Sequence, residues 1–317
     1  MAKKKWGQHF LKCKSIAESI VQAADVQHGD HILEIGPGYG MLTQSLLNIN
    51  ASVTAVEIDP DLCDELRKKF EKEKNFTLLE HDVMKLEINV FDKLIKFPAK
   101  LVANLPYNIA TALLLKLLPV RNAWKSFTVM IQLEVAERLC AIPESGKKYG
   151  PLSLAGALGF DKQIVKIITP DCFFPSPKVD SCVIHLVPRN SGLTIEEEKL
   201  FLKWSHLLFQ HRRKTLLNGI RRHYPEWFQN CKEDLREKYD MRRPETLDFN
   251  EWMNLFCIFT KSKQNVLEGI APVLTRVFTP LFAVVLLVFL VVMIWTGNGI
   301  DVEREVLMGF NLLLVLV

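Results

Sequence analysis

Apolar and polar positions divide the chain into three stretches of different rhythm. Between 31 and 187, short β-rich apolar runs take turns with runs of helical period. HILEI (31–35), SVTAVEI (52–58), FTLLE (76–80), KLVAN (100–104) and FTVMIQ (127–132) predict strands. GMLTQSLLNI, PDLCDELRKKFEKE, IATALLLKLL and EVAERLCAI predict the helices between or after them. Strand and helix alternating at this spacing specify an α/β fold, a parallel sheet with helices on both faces. KQIVKIITP and KVDSCVIHLVP, joined by a loop, predict a closing antiparallel pair at the sheet edge.

After Pro188-Arg189-Asn190-Ser191-Gly192 the rhythm becomes wholly helical. TIEEEKLFLKWSHLLFQHRRKTLLNGIRRH opens on a capping box from Thr194 to Glu197 and, with RRPETLDFNEWMNLF, predicts a small all-helical domain. The expected domains are therefore 1–190 and 191–263, followed by an appended hydrophobic segment, 264–317. Within that segment no charge occurs from Val277 to Ile300, and VFTPLFAVVLLVFLVVMIW (277–295) is long enough to span roughly 28 Å as a helix at ~1.5 Å per residue. It is a transmembrane candidate with Trp295 as interfacial anchor; Lys261, Lys263 and Arg276 precede it, and Asp301, Glu303 and Glu305 follow. That asymmetry puts the N-terminal part in the cytoplasm.

Composition changes this picture little. The 317 residues are 49% hydrophobic and 24% charged, and the net charge of +4 does not by itself specify a nucleic-acid partner. The basic residues do cluster, at Lys3-Lys4-Lys5, Arg212-Arg213-Lys214, Arg221-Arg222 and Arg242-Arg243, although any one such cluster can equally be a solvated face. Seven scattered cysteines with no CxxC pair and no ligand spacing to histidine read as free thiols of a reducing compartment, neither a disulfide frame nor a metal site. The N-terminus, MAKKKWGQHFLKCKS, lacks a signal-peptide apolar core.

Candidate chemistry sits where the predicted strands end. After the first, Gly36-Pro37-Gly38-Tyr39-Gly40 turns into a helix; the GxGxG spacing, in place of GxGxxG, favours a nucleoside ligand without pyrophosphate. After the second, Glu57 lies 21 residues beyond Gly36, where such folds set an acid on ribose hydroxyls, with Ile58 beside it. After the third, Asp82 can accept from an adenine amine, with the Val83 N–H nearby. After the fourth come Asn104, Leu105, Pro106 and Tyr107. An adenine N6 amine is a poor nucleophile because its lone pair is delocalised into the ring. The Asn104 carbonyl and a backbone carbonyl near Leu105–Pro106 can bind both amine hydrogens; Pro106 stiffens the turn and Tyr107 offers a face to the base.

Taken together, KKWGQHFLKCKSIAESI, EIGPGYGMLT, VEIDPDL, HDVMKL, VANLPYNI, QLEVAERL, CFFPSPKVDSCVIHL and FQHRRKTLLNGI resemble the ribosomal-RNA adenine N6-dimethyltransferases, from residue 3 to about 260 with all blocks in order. The resemblance implies a Rossmann-like class I methyltransferase sheet. It also implies S-adenosylmethionine as methyl donor and two neighbouring adenosines near the 3′ end of 16S rRNA as substrate, in a 30S subunit or precursor. It places donor contacts at His9, Leu11, Gly36, Gly38, Glu57, Ile58, Asp82, Val83 and Asn104, and the ring near the target base at Phe173, with Phe174 adjacent. It places rRNA phosphates against Arg212, Arg213, Lys214, Arg221 and Arg222, and implies a cytoplasmic monomer that uses no metal. His9 stands where asparagine is common, and a neutral imidazole can still donate to the donor's carboxylate; Leu133 stands where lysine is common. Two alternatives share the fold: a 23S rRNA adenine methyltransferase of the macrolide-resistance type, and a non-catalytic rRNA-binding assembly factor. The family pattern stops near Lys263, so 264–317 is expected to be a gene fusion, a frameshift or annotation join, or a membrane tether, with a buried core helix as the bland reading of 277–295; membrane contact is expected through this segment alone.

Overall fold

The computed structural model describes residues 8–87, 95–230 and 232–261. The Lys3-Lys4-Lys5 cluster and the transmembrane expectation at 277–295 lie outside these residues. Among the described residues no helix is long and apolar enough to cross a membrane.

The expected strands form: β2 (His31–Ile35), β3 (Ser52–Glu57), β4 (Phe76–Glu80), β5 (Ala99–Asn104) and β6 (Trp124–Gln132). With β7 (Phe160–Ile168) and β9 (Ser181–Pro188) they make one seven-stranded sheet in the order β4-β3-β2-β5-β6-β9-β7. β2 to β6 pair in parallel, and β9 runs antiparallel to both β6 and β7, which is the expected closing pair. The central strands are buried on both sides and so read as nearly continuous apolar runs. Their side chains still alternate between two cores. Leu33, Ile35, Leu101, Ala103, Val129 and Ile131 face one, while Ile32, Val53, Val102, Met130 and Val183 face the other. The first core packs under the helix Ala110–Leu117 and the second under α1 (Lys14–Ala23) and α2 (Met41–Leu47).

The strand order reverses between β2 and β5, because β3 and β4 lie to one side and β6 to the other. Open α/β sheets bind ligands at that switch point, beyond the carboxyl ends of the strands. Here those ends lead into Gly36 and Asn104.

Two elements escape the pattern reading. The helix Pro151–Gly159 has almost no polar face, so its period is hidden; a Cβ at Gly156 would lie 2.6 Å from the Leu139 carbonyl oxygen, which shows how closely it is packed. The second is a two-stranded sheet of β1 (Phe10–Leu11) and β8 (Phe173–Phe174), paired Phe10 to Phe174 and Leu11 to Phe173. Two-residue strands carry no periodicity to detect.

The chain groups into two compact units, Met1–Gly219 with Tyr239–Phe249, and Ile220–Lys238 with Asn250–Val317. The capping box forms as expected: the Glu197 N–H donates to Thr194 Oγ1 at 3.3 Å, and the Thr194 N–H to Glu197 Oε2 at 2.8 Å. The helix it opens, Ile195–Phe209, groups with the first unit although the sequence reading begins a second domain at 191. A buried bidentate pair fastens it there, Arg121 Nη1 to Glu198 Oε2 at 2.7 Å and Nη2 to Oε1 at 2.5 Å. In the second unit Tyr224, Trp227, Phe256 and Phe259 form an aromatic cluster with ring centroids 5.0 to 6.4 Å apart.

Candidate active site

The ends of β2, β3, β4 and β5 open on one cavity of about 340 Å3, within the usual range of roughly 300–1,000 Å3 for small-molecule sites. Its walls include His9, Leu11, Gly36, Gly38, Glu57, Ile58, Asp82, Val83, Asn104, Leu105, Pro106 and Tyr107, so the four expected strand-end motifs do converge.

Its floor is the glycine turn. Gly36 has φ +68° and Gly38 φ +59°, the left-handed region that a side chain disfavours. A Cβ on Gly38 would meet the Phe10 ring at 2.8 Å, and one on Gly36 would touch Pro106 at 3.4 Å. From α3 (Pro60–Lys69), Lys69 Nζ closes the turn by donating to the Tyr39 carbonyl at 2.8 Å.

Glu57, at the end of β3, is buried and accepts three backbone N–H bonds, from Gly38 at 3.2 Å, Ile58 at 2.9 Å and Asp59 at 3.1 Å. Burial pushes its carboxyl above the usual range, while the three N–H donors pull the other way. It therefore joins the glycine turn to the next loop while lining the cavity. Asp82 Oδ1 accepts from the Met84 N–H at 2.9 Å, which leaves Oδ2 for a ligand.

At the end of β5, Asn104 Nδ2 donates to the His9 carbonyl at 3.2 Å. That bond fixes which way the amide points, and its Oδ1 has no donor among the described residues. The Leu105 N–H is taken by Met130 O at 3.0 Å, and the Pro106 carbonyl by the N–H groups of Ile109 and Ala110. Among the described residues the Leu105 carbonyl has no donor, so of the Leu105 and Pro106 carbonyls it is the open one. Tyr107 bonds through its hydroxyl to Ser181 Oγ, and one face of its ring stacks on His9 with centroids 5.2 Å apart.

Three expectations need correction. Phe173 is fully buried in the second core, so its ring has no face for a base; Phe174, beside it, is 68% exposed and is the ring the loop presents. A carbonyl can only accept, so His9 Nδ1 donates to Pro175 O at 2.7 Å. In the neutral ring Nε2 is then an acceptor, and His9 can donate to a carboxylate as well only as the imidazolium. Arg212 turns its guanidinium inward, to Glu245 at 2.7 Å and to the Lys147 carbonyl at 3.1 Å, and is not presented to phosphates. Arg213, Lys214, Arg221 and Arg222 are exposed, the last two in the other unit.

Two further groups, one in the cavity wall and one behind it, were not expected from the motifs. Glu34, inside β2, is buried and lines the cavity; it accepts from Thr43 Oγ1 at 2.7 Å, and burial pushes its carboxyl up to about 8. The folded state thus holds a proton that the unfolded chain sheds near the ordinary 4.5, so stability is lost as pH rises from 4.5 through about 8. Glu34→Gln removes this loss. Its melting temperature should gain on that of the parent between about pH 5 and about pH 8, and parallel curves across that window would refute the assignment.

Lys116, on the helix after the Asn104 turn, donates from Nζ to the carbonyls of Val83, Met84 and Leu86 at 3.2, 2.8 and 2.5 Å. It holds the loop that carries Asp82, as a positioning residue. Lys116→Met should raise KM for the donor roughly tenfold with kcat little changed, and Lys116→Arg should restore part of the loss. Equal falls in kcat would instead place the effect on the reacting groups.

The chain matches the family described as ribosomal RNA adenine dimethylase over residues 1–257. It belongs to that family. Ribosomal RNA small subunit methyltransferase A of Clostridium acetobutylicum is 38% identical over 260 residues, 80% of this chain and 91% of that protein. The protein of the same name from Lactococcus lactis is 40% identical over 224 residues, 69% of this chain and 75% of its own. Among solved structures, a dimethyladenosine transferase from Plasmodium falciparum matches with TM-score 0.64 at 29% identity, covering 80% of this chain and 98% of that one. A 23S rRNA methyltransferase shares the fold, with TM-score 0.60 at 24% identity over 78% of this chain and 98% of its own.

As an rRNA adenine dimethylase the protein uses S-adenosylmethionine, and the cavity fits that donor. Glu57 and Asp82 line it with carboxylate oxygens, acceptors of the kind a nucleoside's hydroxyls and amine require, and the bond at Asp82 Oδ1 leaves Oδ2 open.

Proposed function

We propose that the protein methylates N6 of two adjacent adenosines near the 3′ end of 16S rRNA, giving N6,N6-dimethyladenosine, on the 30S subunit or its precursor, as a cytoplasmic monomer. The observation that carries this reading is the pair of free acceptors after β5, Asn104 Oδ1 and the Leu105 carbonyl, at the rim of the cavity. The small-subunit substrate is supported by the names of relatives at 38% and 40% identity.

Bound S-adenosylmethionine supplies an electrophilic methyl group on its sulfonium. Asn104 Oδ1 and the Leu105 carbonyl accept the two hydrogens of the adenine amine and favour a nitrogen whose lone pair is localised. As the N–C bond forms and the S–C bond breaks, positive charge grows on that nitrogen. Fixed carbonyl dipoles stabilise it without reorganising, and the surplus proton passes to solvent. Pro106 holds the turn, and the Ser181 bond holds the Tyr107 ring. Phe174 offers a second aromatic face, a contact worth ~1–3 kcal/mol per stacked base. The target adenosine must leave its own stack to reach these groups.

The test is methyl transfer from labelled donor by purified protein to unmethylated 30S particles and, separately, to 23S rRNA. Two adjacent dimethyladenosines in 16S rRNA are expected. Label in 23S rRNA alone would move the protein to the large-subunit class, and binding without transfer would make it an assembly factor.

A further inference from the structure

A second concavity in the first unit, lying outside the donor cavity, has a uniform sign. Arg138, Lys147, Lys148, His206 and Arg212 line it together with Tyr149 and the start of the helix Pro151–Gly159, and no acidic residue lines it. Two segments distant in sequence line it: the last turn of the helix Leu133–Cys140 with the turn at Pro143–Lys148 that follows, and the end of the helix Ile195–Phe209 with the Arg212 turn after it.

The five groups are not equivalent. Arg212 is spent internally: it pairs with Glu245 and donates to the Lys147 and Gly146 carbonyls, so it holds the Lys147–Lys148 turn in place. Lys148 pairs with Glu137 at 2.8 Å. Arg138, Lys147 and His206 are exposed and have no side-chain partner among the described residues. The backbone that carries Arg138 and Lys147 is fixed further by the Tyr149 hydroxyl, which donates to Leu247 O at 2.7 Å, and by Ser153 Oγ, which donates to the Arg138 carbonyl at 2.6 Å. Arg138 and Lys147 are two cations without an ion-pair partner among the described residues, on a braced backbone, and they repel one another unless an anion sits there. The first turn of the helix Pro151–Gly159 adds potential of the same sign.

We infer that this pocket docks a backbone phosphate of the RNA substrate, with Arg138 and Lys147 as direct contacts and Arg212 as the brace behind them. The inference rests on the rRNA reading above. The helix bearing Arg138 leaves β6 at Gln132, on the same carboxyl edge of the sheet as the donor cavity, so RNA entering with its target base can extend toward the pocket. Such a contact fixes register and carries no base preference.

The test uses the full chain with Arg138→Gln and Lys147→Gln combined, binding purified 30S particles over a series of salt concentrations. Affinity near physiological salt should fall about fivefold to tenfold, and the slope of log affinity against log salt should shrink by about 1, as for one lost phosphate contact. Donor affinity and melting temperature should match the parent. An unchanged affinity and slope, in a variant whose parent methylates 30S particles, would overturn the pocket alone. Failure of the parent to methylate rRNA would instead overturn the function. Inorganic phosphate separates the two possible sources of the anion. If it raises the parent's melting temperature and not the variant's, with 30S affinity equal in both, the pocket belongs to a free anion and the RNA assignment fails.

Discussion

Asn104→Ala is expected to fold, bind the donor and lose methyl transfer by roughly 10²–10³ in kcat, the usual effect of removing one preorganised group at a developing charge. Asn104 ends β5, where its backbone pairs with Met130 of β6, and alanine keeps that ladder. The side chain gives up one bond, to the His9 carbonyl, and one free acceptor at the cavity rim. Asn104→Asp separates the two roles. It keeps an acceptor but cannot donate to His9 O unless protonated, so it should recover little. The measurement is single-turnover transfer to 30S particles at saturating donor, with donor affinity followed separately. Near-parental turnover in Asn104→Ala would remove the acceptor pair from the mechanism.

Glu57→Ala is expected to fail earlier, at donor binding, by about 10²-fold or more. Its carboxylate takes three backbone N–H groups, two of them buried, and each buried one left unsatisfied costs on the order of 1–3 kcal/mol. The glycine turn loses its tie to the loop after β3 at the same time as the ribose loses its acceptors. Melting temperature should therefore drop together with donor affinity, and the two losses should share a cause. Glu57→Gln keeps one carbonyl acceptor and should fall between. A variant of normal stability and normal donor affinity would show that Glu57 is only a strand-end carboxylate.

The sheet and its four strand-end motifs were legible because parallel strands buried on both faces leave strong apolar runs, and because glycine, glutamate, aspartate and asparagine interrupt them at their ends. Glu34 and Lys116 were legible by the same logic and were passed over. Each is a lone ionisable residue inside an apolar run, HILEI and ATALLLKLL, and such a group needs a specific partner, or a retained proton, to be tolerated. What the chain could not show in one dimension is which of two neighbouring rings faces outward. Phe173 and Phe174 differ only in register against Leu11 and Phe10, and a strand of two residues has no period from which to read it. Nor could it show that Arg212 braces a turn while its neighbours Arg213 and Lys214 face solvent, because that depends on Glu245, 33 positions away.

The bond from Asn104 to the His9 carbonyl spans 95 positions of sequence. The polarity of the Asn104 amide is therefore set by a peptide group at the very start of the described chain. β1 is in turn tied to β8, so this start is held by the loop that presents Phe174. Trimming the first ten residues, or displacing them with a bulky leader, would free the amide to turn its NH2 toward an amine that needs an acceptor. Such a protein would carry every residue of the Asn-Leu-Pro-Tyr turn and melt as a folded enzyme, yet be silenced from its other end.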